Sequence, residues 1–127
     1  MEKKRILVVD DEETIRIAMV TALKCEKYDI DVAKNGCQAI RYIDSILYDL
    51  VITDYSMPEM DGIELISIIQ ARYPSMPVIL VTGVEAAETL VQNMTVLFFQ
   101  KPFNIFELQD AVYNILNTAD SRACRSK

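Results

Sequence analysis

Short runs dense in Val, Ile and Leu recur at Arg5–Val9, Asp29–Ala33, Leu50–Thr53, Val78–Thr82 and Val96–Phe99, with segments of helical spacing between them. Several runs are continuous apolar blocks, the pattern of strands buried on both faces rather than one. Ile15, Met19, Ala22 and Leu23 share one side of a first helix; Ile40, Ile43 and Leu47 do so in a second, and Leu65, Ile66 and Ile69 in a third. Ala86, Leu90, Val91 and Met94 give a weaker stripe over Glu85–Met94, and Leu108, Val112 and Ile115 mark a fifth helix. Strands alternating with helices in this way predict parallel strands joined by right-handed crossovers, hence an α/β sheet with helices on both faces.

Punctuation supports the parsing. Asn35-Gly36 turns the chain before the second helix, Pro74 and Pro77 close the third, and Asn104 with Glu107 reads as a capping box for the fifth. With 127 residues the chain holds one domain. Apolar periodicity fades from Ala119, which predicts a domain over 1–118 and a disordered tail or the start of a linker over 119–127.

Composition narrows the function. Thirteen Lys and Arg against nineteen Asp and Glu give a net charge of -6, which argues against direct nucleic-acid contact by this chain, because such contact neutralises phosphates with basic side chains. The absence of His excludes Ser-His-Asp and Cys-His catalysis, and Cys25, Cys37 and Cys124 form no CxxC pair that would suggest zinc. No run is long enough to span a bilayer, and the N-terminal "MEKKR" lacks the apolar region of a signal peptide, so a cytoplasmic location away from membranes is expected.

Ligands of open α/β sheets bind beyond the carboxyl ends of the strands. The first predicted strand runs into Asp10 and Asp11, the third into Asp54, the fourth ends at Thr82, and the fifth leads to Lys101. Taken singly, each has an ordinary explanation: acids favour the start of a helix, Asp54 suits a turn, Thr82 a strand end, Lys101 a solvated surface. Together they place carboxylates, a hydroxyl and an amine on one sheet edge. A carboxylate can accept a phosphoryl group, clustered acids suit Mg²⁺, and Lys and Thr can hold phosphoryl oxygens. Glu12 and Glu13 more simply start the first helix at its positive end.

"VVDDEE", "LVITDYSMPEMDG", "VILVTG" and "FFQKPF", in this order and spacing, resemble the receiver domain of bacterial two-component response regulators over residues 4 to 118. The resemblance implies a doubly wound, flavodoxin-like sheet of five parallel strands in the order 2-1-3-4-5. It implies that Asp54 is the phosphoacceptor, that Asp10, Asp11, Asp54 and the Ser56 carbonyl hold Mg²⁺, and that Lys101 and Thr82 bind the phosphoryl group. Thr82 and Phe98 would form the switch, and the Lys101-Pro102 peptide would be cis. Ser56 and Val84 would flank the path of the hydrolytic water.

Function follows from the same resemblance. A partner histidine kinase donates the phosphoryl group, and the response reaches an output domain or protein through the face built by the fourth helix, fifth strand and fifth helix, which can also support a homodimer. The chain assists its own phosphorylation and dephosphorylation without being an enzyme. Two other readings compete: a Mg²⁺-dependent aspartyl-phosphate phosphatase, and a receiver-like adaptor that is never phosphorylated. Against the first, Ser56 stands where such phosphatases place a second acid, and no cap segment exists; against the second, an adaptor has no chemical need for the full residue set. One departure from the family pattern is that only eighteen residues (83 to 100) separate Thr82 from Lys101, about one helical turn fewer than usual, which predicts a fourth helix that is short, shifted or partly unwound.

Overall fold

The computed structural model of the chain describes residues 3–83, 97–101 and 104–125, with side chains up to residue 117. Strands β1 (Lys4–Val9), β2 (Tyr28–Ala33), β3 (Leu50–Asp54), β4 (Val78–Thr82) and β5 (Leu97–Gln100) form one sheet in the order β2-β1-β3-β4-β5. Every neighbouring pair is parallel. Helices α1 (Glu13–Leu23), α2 (Gly36–Ser45) and α3 (Gly62–Arg72) and a C-terminal helix (Ile105–Arg125) cover it. The predicted fourth helix over Glu85–Met94, together with Val84, Val96 and Pro102, lies outside the described residues, and so does the predicted cis peptide.

Side chains that alternate along each strand supply two separate cores. Leu7 and Val9 of β1 join Val51 and Leu80 under Ala39 and Ile43 of α2 and Leu65, Ile66 and Ile69 of α3. Their neighbours Ile6 and Val8 join Leu50, Ile52, Ile79 and Val81 under Met19 and Leu23 of α1 and Leu108, Val112 and Leu116 of the C-terminal helix. Each fully buried Leu, Ile or Val contributes roughly 1.5–3 kcal/mol, which is why continuous apolar blocks mark the central strands.

Three of the described helix starts are fixed by side-chain caps, whereas Glu12 at the start of α1 makes none. Asn35 caps α2 by accepting the Gln38 N–H at 2.7 Å. Asp61 and Glu64 form a full capping box at α3, with bonds of 2.9 and 3.2 Å. At the C-terminal helix Asn104 accepts the Phe106 N–H at 2.7 Å, one position earlier than a capping box would place it.

Three details depart from the sequence periodicity. Leu47, expected on the apolar side of the second helix, follows its end at Ser45 and is exposed, while Ala39 and Tyr48 take buried places there. Leu116 completes the buried stripe of the C-terminal helix, with Ile115 packed only partly. That helix also continues past Ala119 to Arg125, a stretch without Gly or Pro to stop it. Among the described residues no helix is long and apolar enough to cross a membrane.

Candidate functional site

Asp10 follows β1 directly and is wholly buried, held at every polar point but one. Its N–H donates to the Ala33 carbonyl at 3.1 Å, extending the β1–β2 ladder by one residue. Its Oδ1 accepts the Glu12 N–H at 2.9 Å, which turns the chain toward α1. Its carbonyl accepts a 2.7 Å hydrogen bond from the Arg16 guanidinium. Oδ2 is buried and has no hydrogen-bond partner among the described residues. Lys101 Nζ approaches it at 3.6 Å, a charge contact too long for a hydrogen bond.

Asp54 is the last residue of β3, paired in register with Val81, and is buried. The Thr53 hydroxyl donates to its carbonyl at 3.0 Å, and the Tyr55 N–H continues the ladder to the Val81 carbonyl at 3.2 Å. The following loop returns so tightly that the Gly62 N–H bonds the Tyr55 carbonyl at 2.8 Å. A Cβ on Gly62 would collide with the Asp54 carbonyl oxygen, so only glycine lets α3 begin here. Inside the loop the Met60 N–H reaches back to the Pro58 carbonyl at 2.8 Å across Glu59, whose φ is 71°. This is a γ-turn through a strained left-handed backbone position.

Lys101 leaves β5 with its N–H on the Thr82 carbonyl at 2.7 Å, and its ammonium stands 3.0 Å from Asp54 Oδ1. Asp10, Asp11 and Asp54 each offer an oxygen within 4.8 Å of the others. Burial, reinforced by the charges of Asp54 and Asp11, pushes the Asp10 carboxyl up to about 6, against the lowering effects of the Glu12 N–H and Lys101. Burial also raises Asp54, although the hydrogen bond and charge of Lys101 oppose it. For Lys101 burial works downward but is outweighed by its bond to Asp54 and the surrounding carboxylates, so its ammonium is held above the ordinary lysine value.

The expected residues thus separate into those that meet and those that stand nearby. Asp10, Asp11, Asp54 and Lys101 converge. Thr82 is buried at the end of β4 beside Gln100. Phe98, half-buried, pairs with Leu80 and packs on the α2–α3 core. Ser56 is exposed, two residues beyond Asp54. Sequence reasoning gave no role to Arg16, nor to Glu59 and Gly62, although these two lie within the quoted "LVITDYSMPEMDG". Arg16 carried one signal, a cation in the first turn of a helix, where the backbone dipole disfavours it.

A divalent cation fits this cluster. Three carboxylates and one ammonium leave two net negative charges when ionised, all from hard oxygen donors of the kind Mg²⁺ prefers. The buried Asp10 Oδ2 is a polar atom awaiting a partner.

The response regulator receiver domain family matches residues 6–113 of the chain. Sporulation initiation phosphotransferase F of Bacillus subtilis is 33% identical over 119 residues, covering 91% of this chain and 96% of that protein. Regulatory protein AtoC of Escherichia coli is 36% identical over 115 residues, 88% of this chain, but the match takes in only 25% of AtoC. The chain likewise spans about a quarter of the NtrX-like and NtrC relatives. Among solved structures, TrrA of Thermotoga maritima in complex with Mg²⁺-BeF is 37% identical with a TM-score of 0.83, covering 89% of this chain and 99% of that one. A signal receiver domain from Pseudomonas fluorescens superposes with a TM-score of 0.87 at 29% identity, covering 94% and 99%. With sheet order, acidic cluster and family match in agreement, the chain belongs to the receiver domain family of two-component response regulators.

Proposed function

We propose that residues 1–118 act as a phosphorylation-dependent switch, with Asp54 as the phosphoacceptor. The observation that carries this reading is the position of Lys101 Nζ, 3.0 Å from Asp54 Oδ1 and 3.6 Å from Asp10 Oδ2, at the mouth of the three-carboxylate cluster. An Asp54 oxygen attacks the phosphorus of a phosphohistidine on a partner kinase, a P–O bond forms, and the P–N bond to the imidazole breaks. Asp10, Asp11, Asp54 and the Ser56 carbonyl would hold Mg²⁺, consistent with the Mg²⁺ bound by the Thermotoga maritima relative. When bound, the cation masks the charge that would otherwise repel one anion from another.

Before transfer Lys101 shields the Asp54 carboxylate; afterwards its ammonium follows the negative charge onto the phosphoryl oxygens, and the Thr82 hydroxyl is drawn to another of them. Phe98, whose side chain sits on the α2–α3 core, changes rotamer as Thr82 moves, passing the change to the face around β5 and the C-terminal helix. Phosphorylation shifts a population between two states that both exist without it. That face then engages an output domain or a second copy of the chain. Ser56, exposed two residues beyond Asp54, tunes the lifetime of the phosphoryl group by flanking the approach of water.

The test is incubation with acetyl phosphate, with and without Mg²⁺, followed by intact mass. One added phosphoryl group that requires Mg²⁺ and is lost in Asp54→Asn is expected. Modification that persists in Asp54→Asn, or none in the wild type, would overturn the assignment.

A further inference from the structure

We propose that Arg16 is a positioning residue of the cation site: its guanidinium holds the Asp10 carbonyl, and with it the turn that aims Asp10 and Asp11 at a common centre. The inference rests on the reading of these two aspartates as the metal side of the receiver site. Arg16 sits on the first turn of α1, half-buried, and its Nη1 donates to the Asp10 carbonyl at 2.7 Å. Its own N–H makes an early bond of α1, to the Glu12 carbonyl at 3.1 Å. One residue therefore ties the start of the helix and the end of β1 into a single closed turn. Asp11 lies inside that turn, and Glu12 contributes the N–H that occupies Asp10 Oδ1.

A positive side chain is poorly suited to this place by ordinary electrostatics. It faces the positive end of the α1 dipole, and it stands close to where a divalent cation would bind, which Coulomb's law alone would penalise. The compensation is geometric. The Asp10 carbonyl has left the β ladder and needs a donor, and a charge-assisted bond from a planar guanidinium is both stronger and more directional than a neutral one. Held this way, Asp10 keeps Oδ2 free and aimed into the cluster. Residues that orient metal ligands typically change affinity roughly 10- to 100-fold when removed.

The two roles open to Arg16 predict opposite signs, which makes the test sharp. If it positions the turn, Arg16→Met weakens Mg²⁺ binding; if it is only a nearby positive charge, the same change tightens it. Calorimetric titration of the full chain with MgCl₂ is expected to show affinity roughly tenfold or more weaker in Arg16→Met, with Arg16→Lys, which retains a donor, recovering most of the loss. Equal or tighter binding in Arg16→Met would overturn the proposal. A wild-type protein that takes up no Mg²⁺ would instead defeat the metal reading on which the proposal stands, so the two failures are distinguishable. If Arg16→Met does not fold, the wild-type guanidinium decides by NMR. Resolved, slowly rotating Arg16 Nη protons that shift on Mg²⁺ addition support the proposal, and averaged, unshifted ones overturn it.

Discussion

Lys101 Nζ lies 3.0 Å from Asp54 Oδ1 and 3.6 Å from Asp10 Oδ2, so a single ammonium bridges acids delivered by the ends of β3 and β1. The bridge makes Lys101 a stand-in for positive charge at the place where a phosphoryl group would arrive. Replacing it with Ala should leave Mg²⁺ affinity unchanged or tighter, since a competing cation is removed, while phosphorylation no longer shifts the amide resonances of Thr82 and Phe98. Calorimetry and NMR with acetyl phosphate read the two effects separately. A loss of Mg²⁺ affinity as large as that of Asp10→Asn would place Lys101 on the metal side instead.

Acidity offers a second probe. Burial pushes Asp10 up to about 6 in the folded protein, above its unfolded value of 3.8. A carboxyl raised in this way stabilises the fold at pH values below 3.8 and loses that contribution as pH rises through about 6. Metal-free wild type should therefore lose on the order of 3 kcal/mol relative to Asp10→Asn between pH 4 and 7. Urea denaturation in chelator at both pH values measures this, and a difference independent of pH would contradict it. Mg²⁺ affinity should fall with pH below about 6, because protons compete for the same oxygen.

Two glycines predict contrasting costs. A Cβ at Gly62 would strike the Asp54 carbonyl and lie 2.9 Å from Tyr55 Cα, so backbone must move. Gly62→Ala should destabilise by about 1–3 kcal/mol and slow phosphorylation by displacing Asp54. At Gly36 every close atom belongs to the Met60 side chain: Sδ at 2.6 Å and Cγ at 3.0 Å can rotate away, and Cβ at 3.1 Å has to give by only a few tenths of an ångström. Gly36→Ala should cost about 1 kcal/mol or less. Denaturation curves of the two variants settle the ranking, and equal losses would refute it.

Glu59 holds a φ of 71° between Pro58 and Met60. Glu59→Gly should be neutral to slightly stabilising, because glycine adopts this backbone without a Cβ penalty, whereas β-branched Glu59→Val should cost about 1–3 kcal/mol. Thermal melts compare them. A Val variant as stable as the wild type would mean the turn relaxes freely.

The parallel fold and its acidic edge were legible in the chain because both are written in local chemistry. Short continuous Val, Ile and Leu blocks bounded by turn residues fit strands covered on two faces, as β3 and β4 are, and alternation with helical stripes predicts that the strands are parallel. Acids and a lysine placed directly after such blocks must emerge on one edge, as Asp10, Asp54 and Lys101 do. Where burial depends on what crosses over a position, periodicity gave less. Leu47 has the right spacing for the core yet lies past the end of α2, and Leu116 completes a stripe that spacing ended at Ile115.

Local sequence thus determined which residues could carry the chemistry, because residue type and strand position are intrinsic to the chain. Tertiary structure alone decided how they meet: Lys101 between two aspartates from different strands, Gly62 pressed on the Asp54 backbone, Arg16 fastened to the Asp10 carbonyl. The reason is physical. Distances of 3.0 and 3.6 Å from Lys101 to carboxylates 47 and 91 residues away in the chain, and the burial that raises Asp10 and Asp54, exist only once the sheet has closed around them.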